Sequence, residues 1–492
     1  MSKIVKSSWF SKKCLSLTSI NPNEISRVLL LFSIFFLGAF IFHMVRDLKD
    51  TLIITAENSG AEVIPFLKFW LILPTCIFIT FLCNKLFNIF SYRTLGTILI
   101  LGFILFLLFF VFFLYPRRED LYLNKLASYL EVFLPKGCNG IILIIRYWLF
   151  SLFYVVCELW GVMVLSLFLW RYVNDITSMS DAKRFYPIIL LSENLSGIAS
   201  GPTSYYISNR INHLFIGNNL WEQSLIFLIL IIVICAGILI LLFHRLYSIS
   251  SSPTHNKIQE PKEKMSLKKN FKSILNSKIL FSITIMVLCY QIAGNLLEVI
   301  WKSQVRILYP SPGSYNAYMS QVTMWVGIIS VILSISMSGI FRRIERGLVA
   351  MITPNVILVT SLFFLPLLIL HNSFNLFMAI PLSLIVFIGS MQNVLIKASK
   401  FSIFDATKEM SFVSLNTEDR RNGKSAIDGI GSRLGKSGGA VLYQGFLITF
   451  GSISASMPYI GMILLFVIIP SFLKATRKLS DEISSSKTLE SL

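Results

Sequence analysis

Apolar runs close to twenty residues long recur along this chain about a dozen times, and that repetition limits its fold more than any other feature. Val28–Phe42, Ile98–Leu114, Leu225–Phe243 and Ile460–Leu473 are examples. A helix of roughly 20 such residues spans the ~30 Å hydrocarbon core of a bilayer. Buried helices of a soluble protein would account for one run of this kind, not for the whole series. Composition points the same way. Of 492 residues, 55% are hydrophobic and only 14% charged, too few to cover a soluble surface of that size. The seven cysteines are scattered without a C-x-x-C pair, so neither a metal site nor a disulfide framework is expected.

Twelve spans are expected, near 28–46, 63–83, 94–114, 144–170, 186–207, 221–246, 278–301, 318–341, 348–370, 374–397, 427–449 and 455–473. The fifth and eleventh are rich in Ser and Gly. The net charge of +19 could signal nucleic-acid binding, but most Lys and Arg fall in short loops between spans. The amino terminus is basic, as are the loops after spans 2, 4, 8 and 10 and the carboxyl tail. The loop after span 10 is expected to hold Lys397, Lys400, Lys408, Arg420, Arg421 and Lys424. Loops after spans 9 and 11 carry no Lys or Arg. Basic loops stay in the cytoplasm, so both termini are expected there. Arg117 and Arg118, after span 3, run against the pattern.

The expected domains are an amino-terminal segment 1–27, a first six-helix half 28–247, a basic linker 248–277, a second half 278–474 and a tail 475–492. The halves carry parallel features. Span 1 ends in Arg46-Asp-Leu-Lys-Asp50 and span 7 in Glu298-Val-Ile-Trp-Lys302. Span 5 contains Ser196-Gly-Ile-Ala-Ser-Gly201 and span 11 Gly435-Lys-Ser-Gly-Gly-Ala440. Two six-span halves around a central site make an all-α membrane protein of major-facilitator type.

A charge within a span costs roughly 2.5–3.5 kcal/mol on insertion scales, so it faces a cavity or a partner. Glu158 lies mid-span 4, Lys68 early in span 2 and Glu298 late in span 7. Arg46 and Lys49 share a face of span 1, and Arg433 and Lys436 share one of span 11. These charges are mostly positive and fall on spans that line the cavity in a two-half carrier. A cavity of that kind favours a polyanion. Plainer readings exist for each. Glu298 and Lys302 are four apart and can pair along one helix. Arg46, Lys49 and Lys68 can snorkel to headgroups. Glu158, Arg433 and Lys436 can form structural pairs, and Asn194 in span 5 can be an interhelical hydrogen bond. Phe153, Tyr154, Trp160, Trp301 and Trp70 lie near the charges and are candidates for stacking on a base, though packing is the commoner use of an aromatic. Gly431-Ser-Arg-Leu-Gly-Lys-Ser437 imitates a phosphate loop, but Ile430 stands where the first Gly is required and no strand precedes it.

Seven stretches in order resemble the nucleotide transporters of obligate intracellular bacteria and plastids, the non-mitochondrial ATP/ADP translocases. They are Arg46-Asp-Leu-Lys-Asp50, Phe66-Leu-Lys-Phe-Trp70, Glu158-Leu-Trp-Gly161, Ala182-Lys-Arg-Phe-Tyr186, Asn295-Leu-Leu-Glu298 with Trp301-Lys302, Phe404-Asp-Ala-Thr-Lys408 and Arg433-Leu-Gly-Lys-Ser-Gly-Gly439. The resemblance runs from about Arg27 to Lys474. It implies a twelve-span carrier that exchanges ATP for ADP or moves related nucleotides. It also implies that Lys68, Glu158, Glu298 and Lys436 matter for transport and that Asn194 works near phosphate. After Asp405-Ala-Thr-Lys-Glu-Met410 the energy-exchanging members read Ala-Tyr-Ile-Pro-Leu. This chain reads Ser411-Phe-Val-Ser-Leu415, which leaves the base open among ribonucleotides.

The expected partners are therefore ATP, ADP or other ribonucleotides, with phosphate a further candidate, and the lipid bilayer. No nucleic acid and no cofactor is expected, and the working unit is expected to be a monomer. The expected location is the inner membrane of an intracellular bacterium. A proton-coupled importer of nucleotides or another organic phosphate is the same-class rival, with Glu158 or Glu298 taking the proton. An intramembrane enzyme would need an acidic metal cluster or a nucleophile beside a base. The chain has no H-E-x-x-H or D-x-D, so it is read as no enzyme.

Overall fold

The computed structural model describes residues 24–210, 220–249, 274, 277–343, 346–373, 380–413, 427, 432–450 and 453–490. Among these residues the regular structure is helical, with no strand. The long helices are α1 (Ile25–Ile54), α2 (Val63–Phe87), α3 (Tyr92–Leu114), α4 (Trp148–Ile176), α5 (Met179–Arg210), α6 (Leu220–Ile249), α7 (Lys278–Leu308), α8 (Pro312–Arg343), α9 (Leu348–Asn372), α10 (Leu382–Phe412), α11 (Ser432–Phe450) and α12 (Ile453–Glu490). Nine of them, α1–α4 and α6–α10, are long and apolar enough among the described residues to cross a membrane. The chain is a multi-pass membrane protein.

Helix α5 falls short of that apolarity for a visible reason. Ser192, Ser196, Ser200, Ser204 and Ser208 recur every four residues, and all are buried. This stripe packs on α8. Asn316 donates to Ser204 at 3.1 Å and to Ser208 at 2.7 Å, and a Cβ on Gly201 would lie 2.6 Å from the Ser320 carbonyl oxygen. Small residues let helix backbones approach where lipid gives no hydrophobic drive between them.

We call α1–α6 the first half and α7–α12 the second. The near end of the bundle carries Glu24 and the α2–α3 and α4–α5 turns; the far end carries residues 55–62, 115–147 and 309–311. Each half ties together the helix pair that matters below. Trp160 of α4 donates to the Gly38 carbonyl of α1 at 2.9 Å, and Trp301 of α7 donates to Ser390 of α10 at 3.0 Å.

The halves meet tightly toward the far end. Thr51 of α1 donates to Asn316 of α8 at 3.2 Å. Arg306 of α7 donates to the carbonyls of Ile54 at 3.1 Å and Thr55 at 3.4 Å. Gln444 of α11 donates to the Pro65 carbonyl at 2.9 Å. Between α3 and α4 the helices Asn124–Phe133 and Asn139–Arg146 fold as a hairpin. Its turn presses on α11, where a Cβ on Gly137 would lie 2.2 Å from the Leu447 carbonyl oxygen. Residues 1–23, most of the expected linker, and Arg420, Arg421 and Lys424 lie outside the described residues.

Candidate functional site

A cavity of about 500 Å³ lies where α1, α2 and α4 face α7 and α10. Among the described residues its wall holds six cationic side chains, Arg46, Lys49, Lys68, Lys302, Lys397 and Lys400, against three carboxylates, Asp50, Glu158 and Glu298. Solvent reaches it from the near end. On α1, exposure rises from 3% at the Asp50 side chain to 18% at Arg46, and Lys400, nearest the mouth on α10, is 25% exposed.

The helix periods explain which residues reach the wall. On α7, Gln291, Asn295, Glu298 and Lys302 advance by four, three and four, close to the 3.6-residue turn, and α7 is a plain α-helix. On α2 (Lys68, Ile72, Leu73, Cys76), α4 (Tyr154, Glu158, Val162, Ser166) and α10 (Gly389, Asn393, Lys397, Phe401, with Gln392, Ile396 and Lys400 beside them) the wall residues likewise recur about once per turn. These three helices also contain π-helical stretches, at Leu67–Ile72, Trp160–Trp170 and Lys400–Phe404, and such turns gather at functional sites.

The charges form one alternating chain. Lys397 contacts Glu298 at 3.0 Å, and Glu298 contacts Lys302 at 2.9 Å. Lys302 contacts Asp50 at 2.8 Å, crossing between the halves. Asp50 contacts Lys49 at 3.3 Å, and Lys49 reaches Glu158 at 3.1 Å while lying 3.6 Å from the centre of the Tyr154 ring. Lys68 of α2 stands apart and donates to Asn295 of α7 at 2.8 Å. Arg46 donates to Thr323 at 3.0 Å, and Thr323 in turn donates to the buried Asp47 at 2.7 Å. Behind the wall Asp47 answers Arg46 at 3.5 Å and Asp405 answers Lys400 at 3.1 Å, while Lys68 is held by a neutral amide. Pairs make burial of these charges tolerable, and the cations that face the cavity still outnumber the carboxylates that do, which favours an anion.

Of the residues singled out from sequence, Arg46, Lys49, Lys68, Glu158 and Glu298 come together at this wall. Helix α1 runs on past Arg46 to Ile54, so Lys49 is 4% exposed inside the bundle, not snorkelling at its edge. The Glu298–Lys302 pair exists, but both members have further partners across the cavity. Asn194 sits elsewhere, at the α5–α8 crossing, where its carbonyl oxygen would lie 3.0 Å from a Cβ on Gly327. Arg433 and Lys436 stand on α11, which carries the cavity residue Ser437, but their side chains lie outside the described residues. Most of the phosphate-loop imitation does too.

One assignment needs correction. Lys397 and Lys400 are not loop residues, because α10 continues through a π turn to Phe412 and turns both toward the cavity. Of the five aromatics, Tyr154 lines the cavity. Phe153, Trp160 and Trp301 are packed in the core, and Trp70 donates to Gln444 at 3.2 Å. Phe42, Tyr290 and Phe401 line the wall and gave no sequence signal, since nothing sets one Phe apart from the other forty in an apolar run.

Known proteins match this arrangement. The chain resembles in fold a D-xylose-proton symporter (TM-score 0.55, 12% identity, covering 90% of this chain and 97% of the other) and the nucleoside transporter NupG (TM-score 0.57, 11% identity, 94% and 99%). Both are too distant in sequence to speak of more than the fold, which is major-facilitator-like. In sequence it is 36% identical over 486 residues to "ADP,ATP carrier protein 1" of Chlamydia muridarum (strain MoPn / Nigg), covering 96% of this chain and 91% of the relative. It is likewise 36% identical over 462 residues to the chloroplastic "ADP,ATP carrier protein 1" of Arabidopsis thaliana, covering 93% and 74%. A family model described as "TLC ATP/ADP transporter" matches residues 5–483, and the chain belongs to that family.

Proposed function

We propose that this chain exchanges nucleotides across a membrane, ATP against ADP, by alternating access of two six-helix halves around the central cavity. The observation that carries the reading is the wall of six cations against three carboxylates at the meeting of the halves. A polyphosphate fits such a surplus, because charge-assisted hydrogen bonds strengthen where water is scarce. Lys49, Lys68, Lys302 and Lys397 hold the phosphates in this reading, with Arg46 nearer the mouth and Arg433 and Lys436 supplied by α11. The names of the relatives support the substrate pair.

The alternating ion chain supports exchange over net leak. In the empty carrier Glu158 holds Lys49, and Glu298 holds Lys302 and Lys397. Phosphate oxygens replace those carboxylates when nucleotide binds. An empty cavity thus keeps its own counterions and reorients poorly. Helices α5, α11 and α12 complete twelve spans, with residues 248–277 linking the halves. The basic near end is cytoplasmic with both termini, in the inner membrane of an intracellular bacterium, and the cavity is open to the cytoplasm. A single chain is the working unit.

Counter-flow tests the exchange. Bacteria expressing the chain and preloaded with labelled ATP should release label when external ADP or ATP is added and hold it when none is. Net uptake into cells without internal nucleotide when an inward proton gradient is imposed, or release without external nucleotide when that gradient is collapsed, favours the proton-coupled importer instead.

A further inference from the structure

On four of the helices around the cavity, the wall changes character in the same direction. Moving toward the near end along α1, it passes from Lys49 through Arg46 to Phe42. Along α2 it passes from Lys68 to Ile72, Leu73 and Cys76; along α4, from Glu158 to Val162. The Phe42 ring joins two of these helices, for a Cβ on Gly161 of α4 would lie 2.8 Å from its edge. Opposite, α7 passes from Lys302 and Glu298 to Asn295, Gly294 and Gln291. The deepest charges, Lys49, Asp50, Lys68 and Lys302, thus lie toward the closed end; Arg46 on α1 and Lys397 and Lys400 on α10 continue toward the mouth, while between α2, α4 and α7 an apolar wall faces an amide face there.

The amide face is unsatisfied. Lys68 can only donate, so it fixes the Asn295 side chain with its oxygen toward Lys68. The Asn295 amide nitrogen is then a buried donor with no partner among the described residues. Such a group is costly unless something else accepts from it. The Gln291 amide lies one turn nearer the mouth. Between them Gly294 leaves room, since a Cβ there would meet nothing closer than the Tyr290 ring at 4.0 Å among the described residues.

We propose that this slot is the nucleobase subsite. Resting on the nucleotide reading above, it sets the substrate's polarity: phosphates toward the closed end, base toward the mouth. The flat ring lies against Phe42, Ile72, Cys76 and Val162 and passes over Gly294. Asn295 and Gln291 face its polar edge, which makes Gln291 a specificity-determining residue. An apolar slot with a few placed polar groups is how small aromatic ligands are held. An inorganic polyphosphate would fill the charged end and leave the slot empty.

Calorimetric titration of the purified full-length protein in nanodiscs with ATP and, separately, with inorganic tripolyphosphate tests this. The native chain should bind ATP at least tenfold more tightly. Gly294→Val should bring ATP down to the tripolyphosphate level and leave tripolyphosphate within about twofold, which also shows that the variant is folded. Gln291→Leu should change the ranking of ATP, GTP, CTP and UTP by fivefold or more, again with tripolyphosphate unaffected. Equal losses for both ligands in Gly294→Val, or an unchanged preference for ATP, overturns the subsite. If the native chain binds neither ligand, the nucleotide reading itself fails, and the subsite falls with it.

Discussion

In the first half, a cation on the first helix pairs with a carboxylate on the fourth: Lys49 of α1 with Glu158 of α4, at 3.1 Å. In the second half the same two positions in the helix order are joined with the signs reversed, Glu298 of α7 with Lys397 of α10, at 3.0 Å. The positions in the helix order match and the signs invert. Adding Asp50 and Lys302, the first-half group of Lys49, Asp50 and Glu158 has two acids and one base, and the second-half group has two bases and one acid. Each is unbalanced alone and balanced by the other. The Asp50–Lys302 contact, both side chains 5% exposed or less, is where that balance is made. Opening the far end must break this pair. Each member then keeps a partner in its own half, Lys49 for Asp50 and Glu298 for Lys302. A fallback of this kind lowers the cost of parting two buried charges, which is otherwise severe.

The largest effect is therefore expected at Lys302. Lys302→Gln leaves Asp50 and Glu298 without their shared cation. Removing one partner of a buried pair costs roughly 3–5 kcal/mol, and every 1.4 kcal/mol is tenfold. Nucleotide uptake per inserted molecule should fall about a hundredfold. Lys302→Arg keeps a cation for both carboxylates and should recover at least tenfold of that loss. If Lys302→Gln transports within threefold of the native chain, or Lys302→Arg is no better than Lys302→Gln, the charge of Lys302 is not what joins the halves.

Much of this contrast was legible in the sequence. Charges in apolar runs stand out because they are costly there, which exposed Arg46, Lys49, Lys68, Glu158 and Glu298. In the sequence Asp50 stands in a motif that gives it no role of its own, and Lys397 and Lys400 follow an apolar run and read as loop charges that set topology. The reason is physical. Hydropathy ends where a helix becomes polar, while α10 continues because its polar residues face a cavity and not lipid. Neutral groups such as Gln291, Asn295 and Asn393 give no such signal; only the three-dimensional wall reveals them. Among the described residues, nine of the twelve expected spans are helices long and apolar enough to cross a membrane. Helix α5 was harder to read, since its serine stripe spends polarity on packing against α8.

The halves also differ at the far end, and this sets the next prediction. The first half carries the Asn124–Arg146 hairpin between α3 and α4, whose turn at Gly137 touches the backbone of α11. No flexible side chain is available to give way there. Gly137→Val should hold the hairpin off α11 and weaken closure of the far end. Hydrogen exchange should quicken in residues 47–54 of α1 and 312–320 of α8, with the near end unchanged, and uptake should drop about tenfold. Native exchange rates in both segments would mean that the hairpin rests on α11 without helping to close it.

The smallest effect belongs to the ion pair inside that hairpin. Arg146 meets Glu131 at 2.9 Å, as close as Lys302 meets its partners, so geometry alone would rank the two alike. Surroundings separate them. The Glu131 side chain is 44% exposed at the far end, where water competes for both groups and salt screens them. Exposed pairs of this kind contribute about 0.2–1 kcal/mol. The hairpin also has a backbone tie that the substitution leaves intact, from the Leu123 N–H to the Arg146 carbonyl at 3.2 Å. Glu131→Gln should therefore leave uptake at the native level and shift the melting temperature of the solubilised protein only slightly. A loss of uptake approaching that of Lys302→Gln would mean that charge at the far-end hairpin takes part in gating, and that the buried chain is only one segment of a longer network.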